Sequence, residues 1–354
     1  MVQTASIQRG GGLHSEADEA RGGESYESRG GAGDSEPVST DSIGLPPPPP
    51  PSAGVGLVAW RLGGLLVTMR PHQWVKNVFV LAPVVFAREM FITDLVVRSI
   101  GAFGVFCLLT GAVYTMNDLV DIDNDATHPI KRYRPIPSGR VPISWARIAT
   151  VALVVISLAG AAIGPWEFLV TALCYFLLNV AYSFKLKQIA YLDVGAIAAG
   201  FVLRVSAGGF ATHTEVSTYL TLCTALLALF LGLGKRRHEL STAARGMAQQ
   251  QRAALGGYTR RGLRWSHRAT ALLTVASYVA YTLDPMTMDF FHSRHLWWTS
   301  VFVLGALWRF MVLVRSRPNS ESPTQEMLRD GPFVAILFSW GVVVLSLVYN
   351  FGPN

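Results

Sequence analysis

Four oxygen-bearing side chains, Asn117, Asp118, Asp121 and Asp125, lie within nine residues at the end of a long apolar run. On a continuing helix the three aspartates fall at i, i+3 and i+7, on one face, with Asn117 four residues before Asp121. Like charges so spaced repel by about 0.2–0.5 kcal/mol per exposed pair, so a cation is expected among them. Carboxylate and amide oxygens suit a hard ion, and magnesium is typically held by one or two carboxylates plus substrate phosphates. At a soluble surface a solvated acidic helix end would explain the same residues. Here the cluster closes a run long enough to cross a bilayer, where charged groups mark function. Asp118, Asp121 and Asp125 are therefore the expected catalytic residues and, with Asn117, the expected Mg2+ ligands.

Cations follow at once. Lys131, Arg132, Arg134 and Arg140 sit in a loop punctuated by Pro135, Pro137 and Gly139, and guanidinium forks match phosphate oxygens in pairs. Further polar residues close or open other apolar runs: Lys76, then Tyr182 and Lys185, then Asp193, then Lys235, Arg236 and Arg237. Arg204 lies inside an apolar run, about three helical turns after Asp193 and on the same face, and should point into the bundle to meet an acid or an anion. Metal, acids and cations together are what departure of a diphosphate needs, because they neutralise the charge growing on the leaving oxygens. There is no P-loop, no dinucleotide-binding glycine fingerprint and no plausible Ser-His-Asp set. The eight histidines show no metal-ligand spacing, and Cys107, Cys174 and Cys223 are separate residues within apolar runs, suited to packing.

The elements that must carry these groups are membrane spans. Of 354 residues, 51% are hydrophobic and only 15% charged, with mean hydropathy +0.34; soluble domains carry about 25% charged residues. Nine apolar runs near span length are predicted, at 74–90, 97–118, 146–164, 166–184, 191–211, 217–234, 268–284, 296–314 and 332–350. Trp60 to Met69 reads as an interfacial segment. One set of loops holds 19 Lys and Arg residues and the opposite set only Arg88, Arg98 and Arg294. The positive-inside rule places the first set, and the aspartates, in the cytoplasm, with the N-terminus inside. The net charge of +7 thus reflects topology, and nucleic acid is not an expected partner; the lipid bilayer is. Residues 1–56 are a separate region, rich in Gly and Ser, with three arginines against eight acids and a proline run from Pro46 to Pro51. They read as a disordered tail ahead of a membrane domain at 57–354, without the pattern of a cleaved signal peptide.

Asn117-Asp118-x-x-Asp121-x-x-x-Asp125, followed by Arg134-Pro135-x-Pro137-Ser138-Gly139, closely resembles the first signature of the UbiA superfamily of intramembrane prenyltransferases. Tyr182, Ser183 and Lys185 fit the same resemblance, which covers about residues 60–350. It implies an all-α membrane protein: a bundle of nine transmembrane helices around a central cavity open to the cytoplasmic side. One departure stands out. Family members carry a second aspartate-rich motif after the fourth span, whereas here Asp193 is alone, with Ile197 where a further acid would fall.

The runs Arg70–Asn77 and Leu192–Arg204 are similar to one branch of the superfamily, located in the bacterial inner membrane. That branch takes phosphoribosyl diphosphate as donor and decaprenyl phosphate as acceptor in making precursors of cell-wall arabinan. The resemblance implies a Mg2+-dependent phosphoribosyltransferase. Its phosphate ligands would be drawn from Lys76, Arg134, Arg140, Tyr182, Lys185, Arg204, Lys235, Arg236 and Arg237, with Asn117 and Asp193 also at the substrate. An enzyme binding a diphosphate, a 5-phosphate and a lipid phosphate needs such a surplus of cations. The alternative within the superfamily is transfer of a polyprenyl group to an aromatic acceptor; a transporter would call for inverted repeats or broken helices, which are not evident. The oligomeric state is not fixed by the sequence, a homo-oligomer, taken as a trimer, being the working expectation.

Overall fold

The computed structural model describes residues 54–242, 253–316 and 329–349, together with Pro51 and Met327. The expected tail lies outside the described residues, except that the first helix already begins at Val55. The described residues form helices and no strands, as the lipid core requires of a chain that is not a closed barrel.

Helix α1 (Val55–Thr68) leads through a 3-10 segment, Pro71–Val80, to the short α2 (Ala82–Phe86). Then come α3 (Thr93–Val120), α4 (Ile122–Thr127), α5 (Ile143–Ala162), α6 (Trp166–Phe184), α7 (Leu192–Thr212) and α8 (Thr218–Thr242). The chain continues with α9 (Arg260–Leu283), α10 (Pro285–Phe291), α11 (Ser300–Ser316) and α12 (Gly331–Val348).

Seven of the described helical stretches are long and apolar enough to cross a membrane: α3, α5, α6, α7, α8, the stretch Leu296–Arg315 and α12. Two of the nine expected spans are not among them. The run 74–90 is not one helix but the 3-10 segment followed by α2. Pro83 supplies no backbone N–H, and Lys76 and Asn77 interrupt the apolar pattern. The run 268–284 does lie in one helix, α9, but Arg260, Arg261, Arg264 and Arg268 crowd its first half, so its polarity and not its length sets it apart. Outward faces are apolar, with Ile148 70% exposed on α5 and Phe338 71% on α12, as contact with acyl chains demands.

Two cores organise the bundle. Phe106 and Leu109 of α3 pack with Phe168 and Tyr175 of α6, Ala207 of α7 and Val80 of the 3-10 segment. Phe230 of α8 packs with Ala271 of α9, Leu307 and Phe310 of α11 and Phe333 of α12. Small residues let backbones meet where lipid provides no hydrophobic drive. Gly208 is the extreme case: a Cβ there would stand 1.9 Å from the carbonyl oxygen of Val80. The 3-10 segment is thereby seated directly on α7, which sets where Lys76 and Asn77 lie.

Candidate active site

Helix α3 ends at Val120, and Asp121 is a joint (φ −95°, ψ 10°) before α4 begins. The hydrogen bonds Asp121 N–H to Asn117 O at 2.9 Å and Asp125 N–H to Asp121 O at 2.8 Å keep the helical pattern across it. Asp118 and Asp125 therefore stay on one face, both buried, and share Arg134. Arg134 Nη1 donates to Asp125 Oδ2 at 2.5 Å and to Asp118 Oδ1 at 3.2 Å. Asp121 is half-buried and meets Lys187 Nζ at 3.0 Å. Asn117 accepts a bond from Ser183 of α6.

The loop between α4 and α5 positions Arg134. Its Ile136 and Val141 are buried with Ala146 against Leu65, Leu119 and Ile122, which plugs the loop beneath the end of α3. The Nε of Arg134 is buried with no acceptor, a donor left available for an incoming oxygen.

Arg70 was not singled out as a ligand from the sequence. Its Nη2 donates to Asp118 Oδ1 at 2.6 Å while the guanidinium lies over the Tyr114 ring at 4.9 Å. Arg70 adopts φ +52°, a left-handed conformation uncommon for side chains of its size and typical of constrained sites. The lysine that meets Asp121 is Lys187 and not the expected Lys185, which is exposed. Signals existed for both: Arg70 opens the Arg70–Asn77 run, and Lys187 closes the same basic connection as Lys185.

Arg204 is buried and meets no acid among the described residues. Its Nε donates to Asn77 Oδ1 at 2.8 Å, Nη1 to Gly200 O at 3.2 Å and Nη2 to Tyr175 Oη at 2.6 Å. Neutral oxygens thus hold a full positive charge. Half-buried Lys76 has no acceptor among the described residues. Burial first, then the fields of Arg204 and Arg70, push it down to about 8. These cations lie beside the aspartate cluster through Arg70.

Other expected ligands are placed differently. Arg140 donates to Trp60 O at 3.0 Å and lies over the Trp60 ring, tying the loop to α1. The basic run at the end of α8 divides between faces. Arg236 turns to Asp193, Nε to Oδ2 at 2.6 Å, and to Glu239 at 2.5 Å. Arg237 turns toward α9, 3.5 Å from His267 Nδ1. Tyr182 is half-buried, close enough to Arg236 to interact electrostatically. Lys235 is half-buried.

The donor set Asn117, Asp118, Asp121 and Asp125 is all oxygen and suits magnesium by type. Among the described residues no three acid, histidine or cysteine side chains converge on one point, because each aspartate faces a guanidinium or ammonium. The residues fit a metal that arrives with a diphosphate and takes one or two carboxylates, and not a resident cage.

A multi-pass helical bundle with acids, arginines and lysines gathered at the end of α3 is the arrangement of an intramembrane transferase. The UbiA prenyltransferase family matches residues 77–338, and the chain belongs to that family. It is 34% identical over 318 residues to a decaprenyl-phosphate phosphoribosyltransferase of Mycobacterium tuberculosis, covering 88% of this chain and 99% of the relative. It is 31% identical over 304 residues to the protein of that name from Mycolicibacterium smegmatis, covering 81% and 93%. The structure of a UbiA homolog from Archaeoglobus fulgidus bound to DMAPP and Mg2+ shares the fold, with TM-score 0.57, 19% identity and coverage of 80% of this chain and 99% of that one.

Proposed function

We propose that the protein transfers a 5-phosphoribosyl group from phosphoribosyl diphosphate to decaprenyl phosphate, releasing diphosphate, at the cytoplasmic face of the bacterial inner membrane, and so feeds cell-wall arabinan synthesis. The observation that carries this is the unfilled cationic capacity beside a single acidic cluster. Among the described residues the buried Nε of Arg134 and the ammonium of Lys76 have no acceptors, and Arg204 is held by neutral oxygens only. A donor with a diphosphate and a 5-phosphate, and an acceptor with a third phosphate, would use that capacity. One prenyl diphosphate would use less of it. The names of the mycobacterial relatives support the same reading.

In this reading Asp118, Asp121, Asp125 and Asn117 would hold Mg2+ together with the donor's diphosphate, and a bound ion would supply neutralisation of the charge on the leaving oxygens. Arg134 and Arg70 exchange aspartate oxygens for phosphate oxygens. The C1–O bond to diphosphate breaks as an oxygen of the lipid phosphate forms a new bond to C1 from the opposite face, giving inversion. The acceptor is already anionic, so no general base is needed. Lys76 and Arg204 hold the remaining phosphates.

The test is incubation of purified protein in lipid with labelled phosphoribosyl diphosphate, Mg2+ and decaprenyl phosphate. A labelled lipid that disappears on chelation is expected. No labelled lipid, with product from a polyprenyl diphosphate and an aromatic acid instead, would overturn the proposal.

A further inference from the structure

Asp193 stands where the family resemblance calls for a second metal motif, yet both its oxygens are engaged inside the protein. Oδ2 takes the bond from Arg236, and Oδ1 accepts from Tyr258 Oη and from the Val194 N–H at 2.8 Å. Asp193 is 0% exposed and Arg236 1%. The phenol oxygen of Tyr258 in turn accepts the N–H of Tyr191 at 2.8 Å, and the two rings pack 4.7 Å apart. Tyr191 adopts φ +67°, ψ −38°, a backbone state that a bulky residue keeps only where its surroundings over-determine it. The segment Ala253–Tyr258 also presses on Ala190: a Cβ on Gly257 would lie 2.8 Å from that of Ala190. What is held in this way is the short connection between α6 and α7. It carries Lys187, the partner of Asp121.

We infer that Asp193, Arg236 and Tyr258 form a lock that holds the α6–α7 connection, and through it Lys187, in register with the aspartate cluster. Asp193 is then a positioning residue and not a ligand of metal or ribose. The inference rests on the reading of the aspartate cluster as the donor site. The chemistry of the buried pair supplies the discriminating variant: removing Arg236 strands the buried Asp193, removing Asp193 leaves Arg236 with only the half-buried Glu239, and removing both leaves neither buried charge.

The experiment compares Asp193→Asn, Arg236→Gln, the double variant, Tyr258→Phe and Lys187→Met in the full-length protein in lipid. Donor KM, kcat, the Mg2+ midpoint and hydrogen exchange of the peptide spanning 186–193 are measured. Each charged single variant of the lock should raise donor KM about tenfold, and the double should return to within about threefold of wild type. The Mg2+ midpoint should stay put, and Asp193→Asn should add nothing to Lys187→Met. Tyr258→Phe, which leaves the ion pair intact, should speed exchange at 186–193 and raise donor KM with kcat little changed. A shifted Mg2+ midpoint in Asp193→Asn, a double variant no better than Asp193→Asn, or additivity with Lys187→Met would overturn the lock. Hydrogen exchange separates this failure from failure of the proposed function. If wild type makes no phosphoribosyl lipid, faster exchange in Asp193→Asn that the double reverses still upholds the lock, and unchanged exchange sinks it.

Discussion

Asp118 and Asp121 lie three residues apart in one motif, yet their surroundings predict different responses to the same isosteric change. In Asp118→Asn the lost charge is that of a carboxylate 3% exposed, on which two guanidinium groups converge at 2.6 and 3.2 Å. Stranding a fully buried partner costs about 3–5 kcal/mol. Here Arg134 retains Asp125, Arg70 retains the Tyr114 ring, and both arginines are partly exposed, so about 2–3 kcal/mol is expected. In Asp121→Asn the side chain is 34% exposed and its partner Lys187 24%, and such a pair contributes about 0–1 kcal/mol. At roughly 2 °C per kcal/mol for a domain of this size, thermal unfolding in a fixed detergent should fall by about 5 °C for Asp118→Asn and by no more than about 2 °C for Asp121→Asn. Turnover should behave otherwise. If both carboxylates engage the metal–diphosphate, each variant loses about a thousandfold in kcat, equivalent to about 4 kcal/mol. Equal melting shifts would refute the burial argument. Asp121→Asn retaining more than about a tenth of wild-type turnover at saturating Mg2+ would refute the role of Asp121 at the metal.

Lys76 yields a pH prediction. Its ammonium is pushed down to about 8, so the cation is present at pH 7 and lost as pH rises through 8. KM for the phosphorylated substrates should therefore climb between pH 7 and 9 in wild type and stay flat in Lys76→Arg, since phosphates complete their own titration near pH 6 and guanidinium stays charged; the same climb in Lys76→Arg would exclude Lys76 as its source. Arg237→Gln should leave donor KM within about twofold, because that side chain turns to His267 and α9, and a large rise would return Arg237 to the donor site. Arg140→Ala should spare donor KM but loosen α1, seen as faster proteolysis before residue 70, since its bond is to Trp60; loss of turnover without loosening would argue the reverse. Gly208→Val should abolish recovery of monodisperse protein, because its side chain would enter the Val80 carbonyl, and normal yield on size exclusion would contradict that packing.

Much of this was legible in the sequence. Apolar runs near span length located seven helices because hydropathy is a local property that lipid reads directly. The acidic motif was legible for the same reason: its residues are near neighbours in sequence, on one face of successive helical turns. What escaped was pairing between elements far apart in sequence. Asp118 with Arg70 spans 48 residues, Asp121 with Lys187 spans 66, and Arg204 with Asn77 spans 127. Helical spacing says nothing about which of several basic residues on a loop will meet a given acid. The run 74–90 misled because apolar content marks burial as well as spanning. Its residues are apolar because the segment lies in the groove between α3 and α7, with Val80 in the core and Asn77 bonded to Arg204.

The division of Arg236 from Arg237 carries the point furthest. Adjacent residues on a helix point about 100° apart, so a basic run at a helix end cannot serve one site with all its members. Here one arginine closes on Asp193 and the other leaves for α9. The surplus of cations noted from the sequence is therefore smaller at the aspartates than a count suggests. What remains there is Arg70, Arg134 and Lys187 on the acids, with Lys76 and Arg204 beside them meeting no acid among the described residues. Three cations paired with three aspartates leave that cluster near neutral before substrate binds. Under the proposed function, carboxylates that turn to Mg2+ would release Arg70, Arg134 and Lys187 to meet phosphate, so metal and diphosphate should bind with positive coupling. Titrating the donor with and without Mg2+ measures this directly: equal donor affinity in both conditions would show that the paired cluster is already the binding state.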